Sequence, residues 1–169
     1  MIPTNEYADY FSRYINPTIA NGKSIVENLE ESQQHFENVL KNVSKEKQNY
    51  AYAEGKWTLK ELIQHIIDTE RIFCYRALCF SRNDTTSLPG FDQDLFIDHG
   101  NANERLYNDI IEEMSIVRQG TILLFKSFSE EVLKRVGVGS GNNMSVRAAG
   151  YIISGHQNHH VKIAQERYL

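Results

Sequence analysis

Cysteine is scarce in this chain: two residues in 169, Cys74 and Cys79. They stand five positions apart within one expected helix and so point to different faces of it. Neither a disulfide framework nor a CxxC redox pair is present, which suits a reducing compartment. Basic charge is not in excess either: Lys and Arg number 18 against 22 Asp and Glu, a net charge of −4, with the two signs mixed along the chain. Nucleic-acid binding calls for clustered Lys and Arg on a basic domain, so no nucleic acid is expected as a partner. No window approaches the roughly 18 consecutive apolar residues that a membrane helix requires. The N-terminal MIPTNEYADYFSRYI lacks the basic-then-apolar order of a secretory signal. The expectations are no membrane association and a cytoplasmic location. Convincing strand patterns are missing too.

What the sequence does have is helical periodicity. Its 41% hydrophobic residues and its length fit a single domain, 1–169, with a proper core. Residues 1–23, with Pro3 and Pro17, read as an extended arm carrying a few anchoring aromatics; 24–169 read as a helical bundle. Ile25, Leu29, Phe36, Val39 and Leu40 form the apolar stripe of a helix from about Ser24 to Val43. Thr58 and Glu61 make a T-x-x-E capping box for a second helix reaching about Arg82. The stretch NDTTSLPGFDQDLFIDHGN then reads as a structured loop. A third helix is predicted from about Ala102 to Phe128, through Leu106, Ile110, Met114, Val117, Ile122 and Phe125. After a short turn at SEEVLKRV and a break at GVGSGNN, a fourth helix starts near Ser145. Four helices of about 20 residues predict an all-α, up-down antiparallel four-helix bundle. A faint internal echo runs through it. In each half a long helix leads through a Ser-initiated acidic stretch (Ser44, Ser129) to a capped helix carrying histidine on its inner side.

Histidine is the chemical signal. His156 and His160, four apart, stack on one face of the last helix, the spacing used by HExxH metal sites. His159, three from His156, competes with His160 for that face. His65, on the flank of the second helix's apolar stripe, is the candidate from a facing helix. Three neutral imidazoles around a divalent ion leave a position open, a catalytic rather than structural arrangement, and zinc, nickel or another first-row metal fits. A lone buried histidine is more often a satisfied core residue, and His35 and His99 are assigned to core or surface. Burying three imidazoles without partners, however, is costly. Asp68, one turn beyond His65, is a candidate orienting group for an imidazole or a proton acceptor. Glu70 and Arg71 are expected in ordinary surface ion pairs, and Trp57 is expected to staple the helix entry to the core.

Three segments in order, YAEGKWTLKELIQHIIDTERIFCYRALCFSRND, LPGFDQDLF and SVRAAGYIISGHQNHHVKIAQERYL, resemble the DinB-like superfamily, which includes the YfiT-type metal-dependent hydrolases. The resemblance runs from about Ser24 to the end. It implies an antiparallel four-helix bundle, usually a homodimer. It also implies a divalent metal held by one histidine of the second helix and the HxxxH pair of the last, here His65, His156 and His160. Relatives include transferases that use low-molecular-weight thiols (bacillithiol, mycothiol, glutathione) and a thiol-dependent maleylpyruvate isomerase. The isomerase has a carboxylate among its metal ligands, unlike the all-histidine set here. The expectation is a metal-dependent transferase joining a small-molecule thiol to an electrophilic substrate, with Asp68 taking the proton. The loop from Leu88 to His99 would cover the mouth, with Phe91 and Phe96 as walls. One alternative is a small-molecule hydrolase, although Gln157 and Asn158 stand where HExxH enzymes carry their Glu. Another is a non-enzymatic stress-response module with a structural metal.

Overall fold

Three of the four long helices begin where a hydroxyl side chain caps them, the exception being the one that follows Leu106. Ser24 and Glu27 form a capping box, as do Thr58 and Glu61, and the Ser145 and Ser129 hydroxyls each accept an amide of the following turn. Such caps are each worth about 1 kcal/mol. In the computed structural model, which describes residues 2–169, the elements are α1 (Ser12–Ile19), α2 (Ile25–Leu40), α3 (Lys45–Gln48), α4 (Leu59–Ser81), α5 (Gln93–Gly100), α6 (Tyr107–Lys126), α7 (Glu130–Leu133), β1 (Val136–Gly139), β2 (Asn142–Ser145) and α8 (Val146–Arg167). The bundle helices are α2, α4, α6 and α8. No described helix is long and apolar enough to cross a membrane.

The all-α four-helix bundle is present, but its helices do not simply alternate in direction. Tyr168 Oη donates to the Trp57 carbonyl while His65 meets His156, so α4 and α8 are antiparallel. Arg118 reaches Leu29 and Tyr107 reaches Leu40, so α2 and α6 are antiparallel too. By contrast, α4 and α6 are parallel, linked in register through Lys60–Arg105, Glu70–Arg118 and Cys74–Thr121. Helices α2 and α8 are also parallel, with Gly150 against Ile25 and Gln157 against Gln33. The order is therefore up, down, down, up, in place of the expected up-down alternation. The cause is the connection after Ser81, which returns along the bundle before α6 begins. Over a 23-residue helix that is about 34 Å of travel.

This return strap, expected as a structured loop, contains helix α5, which packs on α4. Leu88 bridges to Gly139, its amide donating to the Val138 carbonyl and its carbonyl accepting from Ser140. A 3-10 turn at Ala102–Glu104 precedes α6, so that helix starts at Tyr107, five residues later than its periodicity suggested.

Two further expectations are corrected. GVGSGNN is more than a break: β1 and β2 pair antiparallel across a Ser140–Gly141 turn in which both residues have positive φ, 53° and 73°, the hairpin-compatible conformation. The N-terminal arm is helical rather than extended. Pro17 lies inside α1, yet the helix holds because Tyr14, Ile15 and Thr18 are buried on α8. Gly155 permits that contact, since a Cβ there would stand 2.3 Å from the Tyr14 carbonyl oxygen. The anchoring aromatics are as expected, with Tyr7 and Tyr14 buried.

Apolar side chains form two clusters. One gathers Leu29, Phe73, Phe80, Phe125 and Ile152, the other Phe36, Leu62, Ile66, Met114 and Val161. Buried polar groups include Glu70, only 2% exposed, which overturns its assignment to the surface. It takes Arg118 Nε and Nη2 at 2.8 and 2.7 Å and the Thr121 hydroxyl at 2.6 Å. Arg71 does pair at the surface, with Glu113.

A candidate metal centre

His65 points from α4 and His156 and His160 from α8, and the antiparallel packing of those helices brings the three rings together. His65 Nε2 is 3.0 Å and His160 Nε2 3.1 Å from His156 Nε2. The ligand atoms of all three lie within 4.8 Å of one another. His65 and His156 are buried and His160 nearly so. Trp57 stacks at 4.9 Å on His65, and Tyr14 sets its ring edge-on to His156 at 5.5 Å.

Burial holds the His65 imidazole down to about 4, below its ordinary 6.5. Burial, aided by neighbouring histidines, takes His160 to about 3 and His156 well below the ordinary value. All three are therefore neutral near pH 7. A neutral imidazole carries one N–H, so His156 Nε2 cannot satisfy both neighbours by hydrogen bonding alone. The buried His160 Nδ1 has no partner among the described residues. Two nitrogens each about 2.0–2.1 Å from a tetrahedral ion stand about 3.3–3.4 Å apart, close to the spacings found. The donor set thus fits a first-row divalent cation.

The cluster opens on a cleft of about 320 Å³, lined among others by Tyr14, Trp57, Thr69, Phe73, Arg76 and Phe91. A larger cleft of about 480 Å³, near Ile25 and Phe125, has no histidine. The strap contributes Phe91 and Gln93 to the histidine cleft; Phe96, 43% exposed, stacks on Phe91 but does not line it.

The other expected residues fall outside the cluster. Asp68 does not join the three histidines: its carboxylate accepts from Gln64, and its charged neighbours are Arg71, Glu113 and Arg105. The i+3 position carries it round the helix toward α6. His159 is exposed, its ring 5.5 Å from Tyr14, and lines the cleft without entering the triad. His35 and His99 are exposed. Trp57 packs on the apolar cluster as expected but also faces the cleft. The sequence reading passed over Thr69 and Arg76. Their signal was present, because positions 65, 69, 73 and 76 share one helix face.

The family model described as the DinB superfamily matches residues 28–164. No curated protein matches the chain. Among solved structures, one described as "YfiT from Bacillus subtilis is a probable metal-dependent hydrolase with an unusual four-helix bundle topology" aligns with a TM-score of 0.74 at 13% identity, covering 84% of this chain and 85% of that one.

Proposed function

This chain belongs to the DinB superfamily, and we propose that it is a metal-dependent enzyme in which His65, His156 and His160 hold a divalent ion, zinc or nickel, for transfer of a low-molecular-weight thiol to a small electrophile. The observation that carries this reading is the convergence of three neutral imidazole nitrogens beside an open cleft. When bound, such an ion supplies Lewis acidity that makes a thiol or water at its open side a nucleophile near neutral pH. The protein's own part is positional. Helices α4 and α8 fix the three rings, Trp57 and Tyr14 shield them from water, and Phe73, Phe91 and Ile152 offer apolar walls to an electrophile. No carboxylate among the described residues lines the cleft, so a proton released on ionisation leaves through the mouth or to the His159 imidazole at its wall. The absence of a carboxylate base there favours a thiol, which needs little help to ionise, over an amide-cleaving water.

A small-molecule hydrolase is the second reading, supported by the likeness to the YfiT structure, described as that of a probable metal-dependent hydrolase. Both free cysteines fit a cytoplasmic setting. A homodimer is part of the proposal, supported by Ile116 and Leu123, seven apart on α6 and 60% and 68% exposed. The test is a metal-loaded assay of thiol addition to 1-chloro-2,4-dinitrobenzene beside an ester panel without thiol. Thiol addition above background, lost in His160→Ala, is expected. Equal rates in the two proteins would remove the thiol reading, and ester cleavage alone would favour the hydrolase.

A further inference from the structure

Arg76 is the one arginine besides Arg118 that is buried among the described residues, at 2% exposure. The two are treated very differently. Arg118 is matched by the Glu70 carboxylate. Arg76 has no carboxylate partner among the described residues: its Nη2 donates to the Pro89 carbonyl at 2.9 Å and the Ser140 hydroxyl at 2.7 Å, and Nε and Nη1 have no acceptor. Burial lowers its pKa, and no neighbouring carboxylate opposes that shift. A desolvated cation without a counter-charge is costly to keep. Pinning the strap and the hairpin explains the two hydrogen bonds to Nη2, but a neutral donor would serve there equally well. The Phe73 ring, its centroid 5.2 Å from the guanidinium carbon, offers the charge a π face, but no anion among the described residues offsets it.

Its surroundings point to what answers it. Arg76 lines the same cleft as His65, His156 and His160, and Arg13 lies at the cleft lip, exposed and 4.3 Å over the Tyr10 ring. Among the lining residues there is no Asp or Glu, in a chain whose net charge is −4. On α4 the eleven-residue step from 65 to 76 is about three turns, so the arginine shares the histidine's face about 16 Å further along the axis. Its side chain leans back toward the N-terminus of the helix, which shortens the gap. Thr69 and Phe73 floor the space between, and the Thr69 hydroxyl is buried without a partner.

We propose that the Arg76 end of this cleft binds an oxyanion, a carboxylate or a phosphate, carried by the thiol or the electrophile whose reacting atom lies at the histidines. Arg13 adds attraction at the entrance. The proposal rests on the metal-site reading for the position of the reacting atom but not for the anion site itself.

The test is calorimetric titration of the full chain, zinc-loaded and metal-free, with 6-mercaptohexanoate, its methyl ester, 6-mercaptohexylphosphonate and plain hexanoate. The acid is expected to bind the loaded protein at least tenfold tighter than the ester. Arg76→Gln should lose that preference while keeping ester affinity and zinc content, Arg76→Lys should restore part of it, and Ser140→Ala should retain it. The phosphonate arm tells a carboxylate site from a phosphate site. If the metal reading fails, the thiol adds nothing, yet hexanoate still binds the metal-free chain in an Arg76-dependent way. Equal affinity of the unmodified chain for acid and ester, which needs no variant, would overturn the anion site. So would an undiminished preference in Arg76→Gln.

Discussion

Two buried polar clusters stand within five residues of each other on α4, and they are finished in opposite ways. At Glu70 every strong donor finds an acceptor. Arg118 grips both carboxylate oxygens and spends Nη1 on the Leu29 carbonyl and the Ser32 hydroxyl, while Thr121 donates to the same carboxylate. At His65 three imidazole nitrogens face one another with too few N–H groups to satisfy every contact, and a cleft opens beside them. A cluster the protein completes by itself holds helices in register, whereas one it leaves incomplete waits for a ligand. On the proposed function, the first supplies stability and the second chemistry.

Removing half of the closed cluster should have the largest effect. Arg118→Met leaves Glu70 buried and uncompensated and is expected to cost about 3–5 kcal/mol in urea unfolding, most of it recovered by adding Glu70→Leu. In the metal-free protein His156→Ala should cost less than about 2 kcal/mol, as befits a side chain with few satisfied bonds. A larger loss there than at Arg118 would break the comparison. Next in size is the response to metal. Zinc at a hundredfold excess over its Kd should stabilise the chain by about 2.7 kcal/mol, an increment absent in His65→Ala, His156→Ala or His160→Ala and kept in His159→Ala.

A pH titration of stability sharpens the same contrast. His65 is held near 4 and His160 near 3 in the fold, against an ordinary 6.5. Between those values the unfolded chain binds more protons, so the stability of the metal-free protein is complete above about pH 6.5 and falls as pH drops toward 4. Replacing His65 and His160 by Leu should flatten that slope in unfolding curves, and a slope of unchanged size would show the rings to be solvated. The smallest effect belongs to Asp68→Asn: stability within about 0.5 kcal/mol and unaltered metal content. A tenfold loss of thiol-transfer rate in that variant would return the carboxylate to a role in proton transfer.

The parts of the molecule legible in the sequence were the local ones. Thr58 with Glu61 marks the start of α4, Ser145 that of α8, and the HxxxH spacing puts two rings on one face. The parts that escaped depend on partners distant in the chain. Nothing near Glu70 announces Arg118, 48 positions away, and a charged residue on the flank of an apolar stripe reads as surface until that partner is known. Helix α1 forms despite Pro17 because α8 offers Gly155 as a seat for it, which is a tertiary effect. The four-residue strands are too short to show alternation, and half of β1 is glycine. The parallel α4–α6 pair follows from where a long connection goes, and composition does not encode direction.

That connection has an evolutionary corollary. Because the chain must travel back past α4 to start α6, the segment bordering the entrance is a backbone detour tied down at Leu88, at Pro89 and through α5. Insertions or exchanges between those tethers would reshape access to the histidines while sparing the four helices that carry them, a ready place for related proteins to diversify what they admit.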